Sequence, residues 1–275
     1  MNNTVVACVD GSSSTRAVCE YAAWAAGVLK APLALLHVLE KNDQPAISDL
    51  TGAIGIDSRE HFTEELVRLE GERSRLMMGQ GKAILKYCAE LLTEAGQSVP
   101  QQLQKHGTLD EILAELGETR LMVLGRRGSK NPVGSHLENV IRLQKNPVLV
   151  VPETFTLPSR VMFAYDGSEA SQENLCRLSV SPLLVNLTCH LVMVNGKSES
   201  LLLAQSLLQK AGVTSQASLL KDDSVTHALC RYADEHEIDL MVMGAYGHTR
   251  LRSFFIGSNT TEMLSESRQP LLMLR

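Results

Sequence analysis

The sequence lacks any excess of positive charge. Its net charge is −5 over 275 residues, so there is no basic stripe with which to grip phosphate backbones, and nucleic acid is excluded as the main partner. It also lacks an apolar run long enough to span a bilayer. The opening residues Met1-Asn2-Asn3-Thr4 have neither the basic start nor the apolar stretch of a secretory signal. A protein of the cytoplasm, with no membrane partner, is therefore predicted. No two cysteines form a CxxC pair: Cys8, Cys19, Cys88, Cys176, Cys189 and Cys230 are scattered. That argues against a zinc knuckle or a dithiol redox site and predicts mostly buried, reduced thiols. The eight histidines show no metal-ligand spacing, and His236-Glu237 lacks the second histidine of a zinc-protease helix, so it reads as a helix end. Met77 and Met78 read as core filler.

Several nucleotide signatures are missing as well. There is no GxxxxGK(S/T), hence no P-loop, and no GxGxxG after the first strand, which disfavours a dehydrogenase. SGGxDS and HxGH, marks of related pyrophosphatases and adenylyltransferases, do not occur either.

What the chain does contain is a repeat of itself. Thr4–Ser12, ending Asp10-Gly11-Ser12, is echoed by Arg160–Ser168, ending Asp166-Gly167-Ser168. Leu121–Gly125 is echoed by Leu240–Gly244, and Asn146–Val151 by Gln269–Leu274. Three landmarks in one order point to a duplicated domain. Asp10 to Val38 spans the same distance as Asp166 to Val194, after which the first half carries an insertion over about 41–80. Pro152 and Pro158 bracket a seam, giving expected domains 1–152 and 159–275.

Each half alternates short apolar strands with amphipathic helices. In the first, the pattern predicts strands over 5–9, 33–38, 99–105, 121–124 and 148–151. Helices are expected after a Ser12–Ser14 cap, over 83–94, along Leu109–Leu116 and over 136–143, with an extra helix over 56–80. In the second, strands are expected over 160–164, 188–194, 213–219, 239–243 and 271–274, and helices over 169–180, 199–211, 224–236 and 258–267. This is α/β architecture with two tandem doubly wound parallel sheets.

Ligands of such folds bind beyond the carboxyl ends of the strands at the topological switch point. Two features fall there in each half: Asp10 or Asp166 after the first strand, and a glycine loop after the fourth. The second-half loop reads Gly244-Ala245-Tyr246-Gly247, nine residues, then Gly257-Ser258. Glycines let backbone amides close on an anion, the following helix N-terminus favours negative charge, and Ser258 with Thr260 offers hydroxyls. As plain structure, Asp-Gly-Ser is also ordinary turn chemistry, and the glycines of a short strand-to-helix connection need not hold a ligand.

Across nearly its whole length the chain resembles the universal stress protein family, as two copies in tandem. ATP-binding members carry G-2x-G-9x-G-(S/T), which the second half matches without a gap. The resemblance implies Rossmann-like, adenine nucleotide alpha hydrolase-like domains. It also implies that Asp166 holds the adenine–ribose end, that Val194 packs by the adenine, and that Gly244, Gly247, Gly257 and Ser258 hold the phosphates. Met243 and Asn259 flank that set; position 259 is commonly apolar in the family. The implied ligand is ATP, or AMP or ADP, with Mg²⁺ held by the phosphates rather than by protein side chains.

The first half departs from this pattern. Its corresponding set is Asp10, Val38, Gly125, Gly128, Gly134 and Ser135, but only Ser129 to Val133 separate the two glycine pairs. Either the cradle is lost or it is rebuilt tighter, with Arg126 and Arg127 as cationic ligands. No general base stands beside either loop in a catalytic dyad, so a regulatory nucleotide-binding protein with an unknown protein partner is expected. A slow or autophosphorylating ATPase and a scaffold or small-molecule carrier are the alternatives. The family's last strand commonly pairs across a two-fold axis. Here Val148–Val151 and Leu271–Leu274 are expected to pair within one chain as a pseudo-dimer, with a homodimer left open.

Overall fold

The computed structural model describes residues 3–39, 56–126, 137, 140–142, 144–185, 187–245 and 258–275; for residues 56–64, 109–110 and 258 only the backbone path is described. Its first half runs β1 (Val5–Cys8), α1 (Thr15–Leu29), β2 (Leu33–Leu39), α2 (Ile56–Glu94), β3 (Gln101–His106), α3 (Leu109–Leu116), β4 (Leu121–Gly125) and β5 (Val148–Val151). Its second half runs β6 (Arg160–Ala164), α4 (Glu169–Ser179), a short 3₁₀ turn (Pro182–Leu184), β7 (Thr188–Val194), α5 (Ser198–Lys210), β8 (Ser215–Leu220), α6 (Val225–Glu235), β9 (Leu240–Gly244), α7 (Ser258–Glu266) and β10 (Leu271–Leu274).

All ten strands join one sheet in the order β3-β2-β1-β4-β5-β10-β9-β6-β7-β8. Every pairing is parallel except the central one, where β10 meets β5 antiparallel, with Leu271, Leu272 and Met273 opposite Val150, Leu149 and Val148. The expected pairing of the two last strands thus lies inside the chain. It gives each otherwise open edge a partner and leaves β3 and β8 at the outer margins.

Successive strand residues point to opposite faces, and both faces are covered, as parallel sheets require. Val5, Ala7, Leu35, Leu149, Phe163 and Leu272 meet α1, the end of α2, α4 and α5 on one side. Val6, Leu36, Met122, Val150, Met162 and Met273 meet α3, Leu137, Val140, Ile141, α6 and α7 on the other. Half of the expected helix over 136–143 lies outside the described residues; Leu137 and 140–142 are helical.

The structure revises several boundaries. The helices expected over 56–80 and 83–94 are one continuous helix of 39 residues. Gly81 does not break it; a Cβ there would sit 2.6 Å from His37 Cδ2, so this glycine lets the helix lie directly on β2. β3 begins at Gln101 rather than 99 because Pro100 has no N–H to donate to the ladder. β8 runs 215–220 rather than 213–219, because the Val213 amide is still bonded to the Leu208 carbonyl. β9 starts at Leu240 rather than 239; Asp239 ahead of it donates its amide to the Arg160 carbonyl and accepts on its carboxylate from Ser159 N, Ser159 Oγ and Arg160 N.

Ser14 occupies the N-cap position of α1 without a side-chain cap, since its hydroxyl meets Ser12 Oγ. Ser168, Ser224 and Thr108 do cap, the last in a reciprocal box with Glu111. Met78 is 43% exposed and Met77 half-buried, so neither fills the core. Cys19, Cys88 and Cys189 are buried, Cys8 and Cys230 half-buried and Cys176 exposed, all as free thiols. Burial pushes the Cys189 thiol up to about 12, which keeps it protonated and inert.

The seam between the halves packs on α1. Phe155 meets the Tyr21 ring edge-on at 4.7 Å, the Tyr21 hydroxyl accepts from Thr156 N, and Ser13 Oγ donates to Glu153 at 2.8 Å.

Candidate functional site

In each half the strand order reverses once, between β1 and β4 and between β6 and β9. The register then decides which residues share a level at the carboxyl ends. β6 pairs with β7 through Ala164 opposite Val192, and continuing that offset sets Asp166 level with Val194. β6 pairs with β9 through Phe163 opposite Val242, which carries Ala164 to the level of Met243 and the following residues to Gly244. Asp166, Val194, Met243 and Gly244 therefore converge on one rim of the second half. By the same argument, Asp10, Val38 and Gly125 converge in the first.

Both aspartates close their own loops. Asp166 Oδ1 accepts from Ser168 N at 2.9 Å, and Asp10 Oδ1 from Ser12 N at 3.0 Å and Thr15 Oγ1 at 3.4 Å. The intervening glycines, Gly11 at φ +78° and Gly167 at φ +79°, adopt the left-handed conformation these turns need. Turn chemistry and site placement thus coexist in the same residues. Val194 and Val38 are half-buried at strand ends, and Met243 is 9% exposed.

Beyond β9, Ala245 N donates to Leu274 O at 2.8 Å, and Thr260 Oγ1 donates back to the Ala245 carbonyl at 3.3 Å. Thr260 is only 3% exposed. Its hydroxyl is spent on tying the first turn of α7 to the end of β9, and it is not a phosphate donor as the sequence reading allowed. Ser258 is the first residue of α7, and Asn259 is exposed beside it. Gly247 and Gly257 lie outside the described residues.

In the first half, Gly128, Gly134, Ser135 and Arg127 lie outside the described residues. Arg126 is described. Its Nη2 donates to the Gln269 carbonyl at 2.6 Å, while its backbone N–H donates to Val151 O. It is a strut between the halves, because Gln269 lies two residues before the strand that pairs with β5. Reading the halves separately concealed this partner. Beside the first-half switch point a cavity of about 430 Å³ opens between Gly11, Ser13 and Arg16 on one side and Gln80, Ile84 and Tyr87 of α2 on the other. Helix α2 forms a wall of this cavity.

Among the described residues no three histidine, cysteine or acidic side chains cluster to hold a metal, and no helix is long and apolar enough to cross a membrane.

Fold and site together define a tandem doubly wound α/β protein with a topological switch point in each half. Comparison with known proteins makes the assignment specific. The model of the universal stress protein family matches residues 1–152 and 191–275. A universal stress protein of Synechocystis sp. strain PCC 6803 is 33% identical over 98% of this chain and 99% of its own. Among solved structures, a universal stress protein of Archaeoglobus fulgidus superposes with a TM-score of 0.70 at 18% identity, covering 99% of this chain and 96% of that one. A protein of Pseudomonas aeruginosa PAO1 gives 0.59 at 14% identity, covering 99% and 92%. The chain belongs to the universal stress protein family.

Proposed function

We propose that this protein binds an adenine nucleotide in its second half and acts as a nucleotide-responsive regulator of the stress response. Its units are 1–152 and 159–275. The reading rests on one observation: Asp166 and Val194 share a level at the switch point, with Met243-Gly244 rising to it on the neighbouring strand, immediately before a glycine loop spaced G-2x-G-9x-GS.

In this reading Asp166 accepts from the ribose hydroxyls, and Val194 and Met243 form the apolar wall for the base. The amides of Gly244, Gly247 and Gly257, with Ser258 and Asn259 at the start of α7, take the phosphates. The donor set suits a triphosphate that brings its own Mg²⁺, because the rim offers a single carboxylate and no protein cage. ATP is the ligand of choice, with ADP and AMP as occupants of the same site. The first half serves as its scaffold, which fits a loop shortened by four residues. Nucleotide stabilises one conformation, and a protein partner reads it.

The test is mass spectrometry of nucleotide released from the denatured purified chain, beside titration of Gly257→Glu. About one adenine nucleotide per chain, lost in the variant, supports the reading. No nucleotide and no saturable ATP binding would replace it with the scaffold or carrier reading.

A further inference from the structure

Helix α2 does two different things along its length. From Gly81 onward it is part of the fold: Gly81 lies on His37, and Leu85, Cys88, Ala89 and Leu92 are buried in the core. From Glu65 to Gln80 no residue is buried, and Met78 O accepts from Gln104 Nε2 on β3. Sixteen residues rising about 1.5 Å each make a projection of about 24 Å.

Such a segment is a poor helix in isolation. Gly71 and Gly79 have nothing within 4 Å of where a Cβ would stand, so packing does not require them, and each costs about 1 kcal/mol relative to alanine. The ion pairs of Arg68 with Glu65 and Glu72 return only a few tenths each. Short helices of this kind draw their stability from burying an apolar face.

That face exists. Leu66, Leu69, Arg73, Leu76 and Gln80 follow one another at alternating spacings of three and four, the seam of a two-helix coiled coil with three leucines, an arginine inside it and a glutamine at its end. Leu69 is 48% exposed and Leu76 75%. The flanking charge is segregated along the axis. Residues 65–72 hold Glu65, Glu70 and Glu72 against one base, Arg68, while 73–82 hold Arg73, Arg75 and Lys82 and no acid.

We infer that the occupant of this face is the same helix of a second copy of the chain, packed antiparallel about a two-fold axis near Gly71. Only the antiparallel arrangement sets each acidic half against a basic half. It brings Leu66 of one copy against Leu76 of the other and Leu69 against Arg73, whose guanidinium falls beside Glu70 and Glu72 of the second copy. The pattern is self-complementary, as an isologous contact must be. The family's dimer edge is consumed inside this chain by β5 and β10, so the inserted helix supplies a route to association that the sheet no longer offers. A seam this short makes a small interface, and the dimer forms in the micromolar range.

The experiment is sedimentation velocity of the full chain across roughly 1–200 µM, a range that brackets weak, small interfaces. A reversible monomer–dimer equilibrium is expected. The double variant Leu69→Glu, Leu76→Glu should weaken it at least tenfold while leaving the melting temperature of dilute protein unchanged. Arg73→Glu with Arg75→Glu should abolish self-association, as should Glu70→Arg with Glu72→Arg, and mixing the two chains should restore a dimer. A monomer throughout the range overturns the inference, as does a dimer indifferent to the leucine variant or a mixture that fails to pair.

Discussion

Thr260 gives the sharpest test of how the fold supports the candidate site. The described chain on either side of the glycine loop ends at Ala245 and resumes at Ser258. Among the described residues, a side-chain hydrogen bond from Thr260 Oγ1 to the Ala245 carbonyl closes that gap at 3.3 Å, with both residues 3% exposed. Thr260→Val replaces the hydroxyl by a methyl of nearly the same size, so no cavity opens and the hydrogen bond alone is removed. A hydrogen bond contributes about 1 kcal/mol net, and a buried carbonyl stripped of its donor costs about 1–3 kcal/mol. At 3.3 Å the bond is long for an O–H donor, which places the expected loss near the lower end, about 1 kcal/mol. For a chain of this size that lowers Tm by about 2–4 °C.

The consequence for binding separates this tie from ordinary packing. A loop released at one end must be ordered by the ligand, so ATP affinity should fall several-fold in Thr260→Val. Thr260→Ser loses a methyl but keeps the hydroxyl, and should cost comparable stability while retaining affinity. Urea unfolding and isothermal titration of the three proteins decide the matter. A Thr260→Val chain as stable as the parent within about 0.3 kcal/mol, or equal losses of affinity in both variants, would refute the reasoning.

Two further outcomes follow from particular contacts. Leu272 faces Leu149 across the antiparallel seam, and they are 2% and 1% exposed; Leu272→Ala should cost about 2–5 kcal/mol in urea unfolding, and a loss below about 1 kcal/mol would mean that the halves barely support one another. His190 is buried beside Tyr232, His236 and Gln216, and burial first, then the charges of His236 and Arg160, hold its pKa below the usual 6.5. The native state therefore resists a proton that the unfolded chain accepts, so this stability is full above about pH 6.5 and is lost as pH falls below it toward the folded value. Unfolding of His190→Leu compared at pH 7.5 and 5.5 should show a shallower decline than the parent, and an equal decline would refute the assignment.

Much of the architecture was legible in the sequence because its signals are local. Short runs such as Val5–Cys8 and Val148–Val151 alternate with helical patterns of period 3.6, and those periods report burial directly. The order of landmarks around Asp10 and Asp166, and the equal distances to Val38 and Val194, already implied equal registers, which the strand pairings reproduce. The spacing of Gly244, Gly247 and Gly257 is likewise a property of the chain alone. Less legible were element ends decided by side chains far away in sequence. Asp239 takes the amides of Ser159 and Arg160, and Gly81 keeps α2 continuous by fitting against His37.

The sequence by itself determined that there are two copies of a parallel α/β unit, which residues follow the first and fourth strands, and which half keeps the full glycine spacing. Tertiary structure alone decided what those residues are used for. Arg126 reads as a free cation in a phosphate loop, yet its guanidinium spans the halves to the Gln269 carbonyl. Thr260 reads as a spare hydroxyl, yet it holds α7 to β9. A polar side chain takes whichever partner the fold brings within about 3 Å, and no local pattern encodes a partner across a loop, as for Thr260, or in the other half, as for Arg126.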